Sequence, residues 1–229
     1  MTEVRLGNIN QRVINWSFIN AGFIALGTGL AIISDNLWIL ATAAALSFLL
    51  FIIRANSAWT PGRSFGIGNL ITLARLLIIL WMLVCYFRFN NLLIITLSIL
   101  VLIGDGIDGL IAQRRKENSL FGEYFDKETD ALYLHSLIMI AIFKDILPVW
   151  IVITGLFRYL FLFYLLIIRK TDRKERRSNT GRYIYVFACI AFILPFIPQP
   201  LIYLPAVILA TVLLVYSFSR DIIWIHFGK

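Results

Sequence analysis

The sequence predicts an all-α polytopic integral membrane protein, a six-helix core preceded by two extra N-terminal transmembrane helices. Three observations predict it. Of 229 residues, 60% are hydrophobic and 15% charged, whereas globular chains are roughly half apolar and a quarter charged. The mean hydropathy is +0.84. The apolar residues gather into runs close to the ~20 residues that a helix needs to cross a bilayer. A disordered chain, a disulfide scaffold and an ordinary cytosolic enzyme are excluded. Cys85 and Cys189 lie inside apolar runs and read as small buried hydrophobes.

Taken in order, residues 1–15 place Val4, Ile9, Val13 and Ile14 among polar neighbours, the pattern of a short amphipathic surface helix. No cleavable signal peptide is expected, because the first apolar run starts near Trp16 and no small-residue cleavage site follows. Spans at 16–33 and 37–53 form the extra pair, within a segment 16–53. The core, 54–229, holds spans at 69–87, 91–112, 121–143, 147–168, 183–197 and 200–218. The last two are split by Pro198-Gln199-Pro200, since proline ends helices.

The net charge of +8 reports topology before it reports nucleic acid. With the N-terminus on the cytoplasmic side, sixteen of the 21 basic residues fall inside, Arg88 and Lys144 fall outside, and Arg75, Lys127 and Arg158 fall within spans. That bias predicts N- and C-termini in the cytoplasm. The inner loop Arg169–Arg182 is either a topology anchor on anionic headgroups or part of an anionic substrate's site. No internal repeat with a clear period is present.

The acidic residues are concentrated. Seven of thirteen lie between Asp105 and Asp130. Asp105 and Asp108 are three apart and Asp126 and Asp130 four apart, so each pair shares one helix face. The short turn Arg114–Leu120 makes the two helices antiparallel neighbours. An ionised Asp in a span costs ~2.5–3.5 kcal/mol at the helix centre, and four on facing stripes repel one another unless cations lie between. Carboxylate oxygens select hard ions such as Mg²⁺, Mn²⁺ or Ca²⁺, and four carboxylates can hold two. Gly109 and Ala112 share the stripe of the first pair, and Gly122 that of the second. Small residues there let a ligand approach the backbone or serve helix packing.

The pattern Asp105-x2-Asp108-Gly109-x2-Ala112, then Gly122-x3-Asp126-x3-Asp130, resembles the signature of the CDP-alcohol phosphotransferases. Gln113 stands where that family has Arg, and Arg114 follows it. Upstream, Asn69-x2-Thr72-x2-Arg75 is similar to the family's N-x-x-T-x-x-R element, with Gly68 where Pro is common. The resemblance implies transfer of a phosphatidyl group from CDP-diacylglycerol, or a related CDP-lipid, to a small polar alcohol, with release of CMP. It implies two divalent ions, Mg²⁺ or Mn²⁺, on Asp105, Asp108, Asp126 and Asp130, with Asp130 also the general base. It implies donor contacts from Gly68, Asn69, Thr72, Gly109, Ala112, Gln113, Ser119 and Gly122, with Ile67 and Leu70 beside them. Family members are commonly dimers, so a homodimer is expected, and the topology places it in the cytoplasmic membrane.

Arg158 lies mid-span, where a charge is functional by default. It is similar in position to family arginines that bind an anionic acceptor, and the alternatives are a partner for an aspartate or snorkelling toward an interface. Arg75 is read as a second acceptor-binding residue facing the site, or as the structural partner of an aspartate. Lys127, four residues after Glu123, reads as a surface ion pair. His135 reads as hydrogen-bonded core. Other readings stay open: a soluble CDP-alcohol donor with a lipid hydroxyl acceptor, a degenerate binding protein, or a cation-coupled transporter. Against the last, both acidic pairs lie at one membrane end. No P-loop, Rossmann glycine run, serine elbow or zinc cluster is present, and no nucleic-acid partner is expected.

Overall fold

The computed structural model describes residues 2–62, 64–115, 117–168 and 179–227, with side chains from residue 11 onward except those of Asp108 and residues 110–113. Most of the basic loop predicted over Arg169–Arg182 therefore lies outside the described residues. Among those described, the chain forms eight α-helices: α1 (Thr2–Ser34), α2 (Leu37–Arg54), α3 (Ile67–Cys85), α4 (Asn91–Arg115), α5 (Leu120–Phe143), α6 (Val152–Ile167), α7 (Asn179–Ile193) and α8 (Pro200–Phe227).

The α1 helix runs unbroken through the boundary expected near residue 15. A two-residue turn joins it to α2. Asp35 takes a left-handed φ of 51°, and the Asn36 side chain accepts the Trp38 N–H at 2.9 Å, capping α2. Trp16 fastens the hairpin: its ring stacks on Phe51 with centroids 3.7 Å apart, and its Nε1 donates to Ser47 O at 3.0 Å.

Among the described residues, six helices are long and apolar enough to cross a membrane, the first α1 and the last α8. Eight spans were expected, and the two others are α4 and α5, the carriers of the aspartates. In α4 the aspartates Asp105 and Asp108 interrupt the apolar run. In α5 the charges Glu123, Asp126, Lys127, Glu128 and Asp130 crowd the first half. The second half explains how α5 tolerates this: every residue from Leu132 to Ile142 is buried. A helix apolar all round is one enclosed by protein, and α1, α3, α6 and α7 all pack against α5. Lipid tails are as apolar as leucine, so helices in a bilayer are held by close packing and polar contacts. Such contacts tie α1 to α5: Thr28 Oγ1 lies 2.8 Å from His135 Nε2, and Ser17 and Asn20 both bond Glu128.

Candidate active site

The site is assembled where α3 begins, α4 ends and α5 begins. Gly66 has φ 81°, and a Cβ there would lie 2.8 Å from Thr60 Cγ2 and 3.0 Å from Glu117 Oε2. Only glycine fits both the backbone and the space. Glu117 Oε2 accepts the Ile67 N–H at 2.9 Å, setting a carboxylate on the N-terminus of α3. This bond ties the α4–α5 connection to the start of α3.

The same seam collects residues of the predicted donor site. Asn69 Nδ2 donates to Phe65 O at 2.6 Å and to Trp59 O at 3.1 Å. Ser119 caps α5, accepting from Gly122 N at 3.0 Å and donating to Trp59 O at 2.6 Å. A Cβ on Gly122 would lie 2.8 Å from Asn69 Oδ1, so Gly122 has a close-approach role between α5 and α3. Thr72 Oγ1 donates to the carbonyl of buried Gly68 at 3.2 Å. The structure brings Gly68, Asn69, Thr72, Ser119 and Gly122 together. The side chains of Asp108, Ala112 and Gln113 lie outside those described.

Three of the four aspartates converge. Asp105 on α4 and Asp126 and Asp130 on α5 each offer a carboxylate oxygen within 4.8 Å of the others. Buried Arg75 of α3 sits among them. Its Nη1 donates to Asp126 Oδ1 at 2.8 Å, and its Nη2 bonds Asp130 and lies 3.3 Å from Asp105 Oδ1. Of the two expectations for Arg75, the structure gives the ion pairs; the residue is not on the wall of the cavity described next. Gly104 makes room for it, since a Cβ there would lie 3.0 Å from Arg75 Cγ and Cδ. At 4.8 Å two ionised carboxylates repel by about 3.5 kcal/mol at an effective dielectric of 20. One guanidinium leaves three ionised carboxylates net anionic. A set of hard oxygen donors with surplus negative charge fits a divalent cation such as Mg²⁺ or Mn²⁺.

These aspartates line a cavity of about 540 Å³ enclosed by α4 to α8. From α6, α7 and α8 the same cavity receives Arg158, Arg182 and Arg220, together with Phe157, Phe218 and Trp224. Gly109 borders the cavity, and a Cβ there would meet no protein atom within 4 Å. Tyr185 also lines it and donates to Asp130 O at 3.3 Å.

Arg158 borders the cavity and is also ion-paired, to a glutamate where an aspartate was expected: its Nη2 donates to Glu128 Oε1 at 2.9 Å. Glu128 was not anticipated from the sequence, although it sits between Asp126 and Asp130. At 100° per residue it lies on nearly the opposite face of α5, and it is fully buried. That a charge lay on the face away from the aspartates was a usable signal. Gly104 and Gly155, which admit Arg75 and His135 respectively, carried no signal in spacing alone. Lys127 Nζ pairs with Glu123 Oε1 at 3.2 Å, as expected from their separation.

No curated protein and no solved structure matches the chain significantly. Residues 65–218 match the family model described as CDP-alcohol phosphatidyltransferase. That range begins beside Gly66 and runs through the aspartate cluster, Glu128 and the cavity to Phe218. Its members transfer a phospholipid head group from a CDP-alcohol. With two-thirds of its length matched, the chain belongs to the CDP-alcohol phosphatidyltransferase family.

Proposed function

We propose that this protein transfers a phosphatidyl group from CDP-diacylglycerol, or a related CDP-lipid, to a small anionic alcohol such as a sugar or polyol phosphate, releasing CMP. The observation that carries this reading is one cavity lined both by the aspartates and by Arg158 and Arg182. Acidic and basic groups lining one cavity of some 540 Å³ suit two anionic reactants that must be held together and aligned. The aromatic and apolar residues of the same lining suit the start of an acyl chain.

In the proposed reaction the acceptor hydroxyl oxygen attacks the phosphatidyl phosphorus. The phosphorus–oxygen bond to CMP breaks, and CMP leaves with its electron pair. Asp130 takes the hydroxyl proton. Arg75 holds Asp130 and Asp126 in place from behind, and Arg158 and Arg182 orient the acceptor's anionic group. Asp105, Asp108, Asp126 and Asp130 would hold two divalent cations, which neutralise charge on the donor's diphosphate. The positive-inside bias supports a cytoplasmic-membrane protein with this end of the bundle toward the cytoplasm.

The test is CMP release by purified protein with CDP-diacylglycerol, Mg²⁺ or Mn²⁺ and a panel of glycerol 3-phosphate, inositol phosphate, serine and glycerol. Turnover should favour the phosphorylated acceptors. Release with none of them, or equal release with charged and uncharged ones, refutes the proposal. Asp130→Asn should lower kcat by about 10²–10⁴-fold, the usual worth of a general base, and unimpaired turnover in that variant removes Asp130 from the role.

A further inference from the structure

Outside the cavity, the most extensive buried polar arrangement joins four helices around Glu128. Ser17 Oγ of α1 donates to Glu128 Oε1 at 3.0 Å, and Asn20 Nδ2 of α1 donates to Glu128 Oε2 at 3.0 Å. Arg158 Nη2 of α6 donates to the same Oε1 at 2.9 Å. Behind them, Ser47 Oγ of α2 donates to Asn20 Oδ1 at 2.8 Å. Ser17, Asn20, Ser47 and Glu128 are each no more than 1% exposed. The Glu128 carboxylate therefore has both oxygens bonded and its charge paired, which is what a buried carboxylate requires.

The direction of these bonds has a consequence. Of these five residues, Arg158 alone continues to the wall of this cavity. An arginine has several rotatable bonds, and ordering such a side chain on binding weakens affinity by about two- to tenfold. A carboxylate held from two sides removes that freedom in advance. Two of its three donors come from α1, outside the 65–218 match. The family core thus includes Glu128 and Arg158, while the groups that fix Glu128 come from the additional hairpin.

We propose that Ser17 and Asn20, acting through Glu128, are positioning residues for Arg158, so that the N-terminal helix pair tunes affinity for the anionic acceptor. The proposal rests on the acceptor reading of Arg158 given above. It gives α1 and α2 a role in substrate selection, beyond that of passive spans.

Steady-state CMP-release kinetics on the full-length protein test it, with CDP-diacylglycerol as donor and glycerol 3-phosphate and inositol phosphate as acceptors. The double variant Ser17→Ala/Asn20→Leu should raise the acceptor KM about tenfold and leave the CDP-diacylglycerol KM within twofold of the parent. Ser17→Thr, which keeps the hydroxyl, should keep the parent's acceptor KM. Arg158→Ala should raise the acceptor KM at least as much as the double variant. An unchanged acceptor KM in the double variant, with a raised one in Arg158→Ala, overturns the positioning role alone. An unchanged acceptor KM in Arg158→Ala, or no CMP release from either acceptor by the parent protein, overturns the acceptor reading and the positioning role with it. A lower Tm accompanied by parallel losses in kcat and both KM values marks a merely structural role and also overturns the proposal.

Discussion

Gly155→Ala places a methyl group where α6 crosses α5. Its Cβ would lie 2.5 Å from His135 Nδ1, 3.2 Å from His135 Cα and 3.2 Å from Ile138 Cδ1. Favourable contacts begin near 3.5 Å, so the shortfall at the ring is about 1 Å. The ring has little room to turn, because Nε2 is held 2.8 Å from Thr28 Oγ1, and Thr28 in turn donates to Ile24 O at 2.7 Å. The clash with the His135 backbone is one that no rotamer relieves. Overpacking of this kind costs about 1–3 kcal/mol. In a chain of this size 1 kcal/mol moves Tm by about 2–4 °C, giving an expected drop of about 2–12 °C. Alanine's better helix propensity, about 1 kcal/mol, acts the other way, so a control is needed. Gly22→Ala and Gly29→Ala, whose Cβ atoms would meet nothing within 4 Å, should hold or raise Tm. Thermal unfolding of the detergent-solubilised protein, followed by intrinsic fluorescence, provides the comparison. A Gly155→Ala variant whose Tm shift equals that of the two control variants refutes the close approach of α6 to α5. Gly155 borders the cavity one turn before Arg158, so the same variant should also raise the acceptor KM.

Arg75→Lys should reduce turnover tenfold or more. A single ammonium cannot span Asp126 and Asp130 as the two guanidinium nitrogens do, and a lost hydrogen bond to a charged group is worth about 1.5–3 kcal/mol. CMP-release rates check this. Gln113→Arg restores the basic residue of the family signature and should lower the CDP-diacylglycerol KM by about tenfold, the effect of one charge-assisted phosphate contact. An unchanged donor KM means that Arg114 or another group already supplies that charge. Removing divalent metal with EDTA should abolish CMP release, and added Mg²⁺ or Mn²⁺ should restore it. Full activity after chelation dismisses the metal role of the aspartates.

The parts of this protein that are legible in its sequence are those set by short-range periodicity. Asp126 and Asp130 share a face because helices repeat every 3.6 residues, and the short turn before α5 brings Asp105 to meet them. Gly122 was identified as a close-approach position for the same reason, although what approaches it is Asn69. What periodicity does not encode is the partner across a long loop. Glu117 bonds the start of α3 from 50 residues away, and Ser17 and Asn20 reach Glu128 across 111 and 108 residues. Hydropathy gave α4 and α5 as ordinary spans because it scores a helix by its own residues. Whether the neighbours are lipid or protein is settled by tertiary packing, and for α5 they are protein.

The enclosure of α5 bears on how the protein enters the bilayer in the first place. Lone acidic and basic residues cost ~2.5–3.5 kcal/mol each at the middle of an inserting helix, and five charges crowd the first eleven residues of α5. Arg75, which neutralises one face of α5, belongs to α3 and is synthesised before it. Arg158, which neutralises the other, is synthesised 30 residues after Glu128. Glu128 therefore emerges before its cation and is paired only once α6 follows. A chain truncated before Arg158 should integrate α5 less efficiently than the full-length chain.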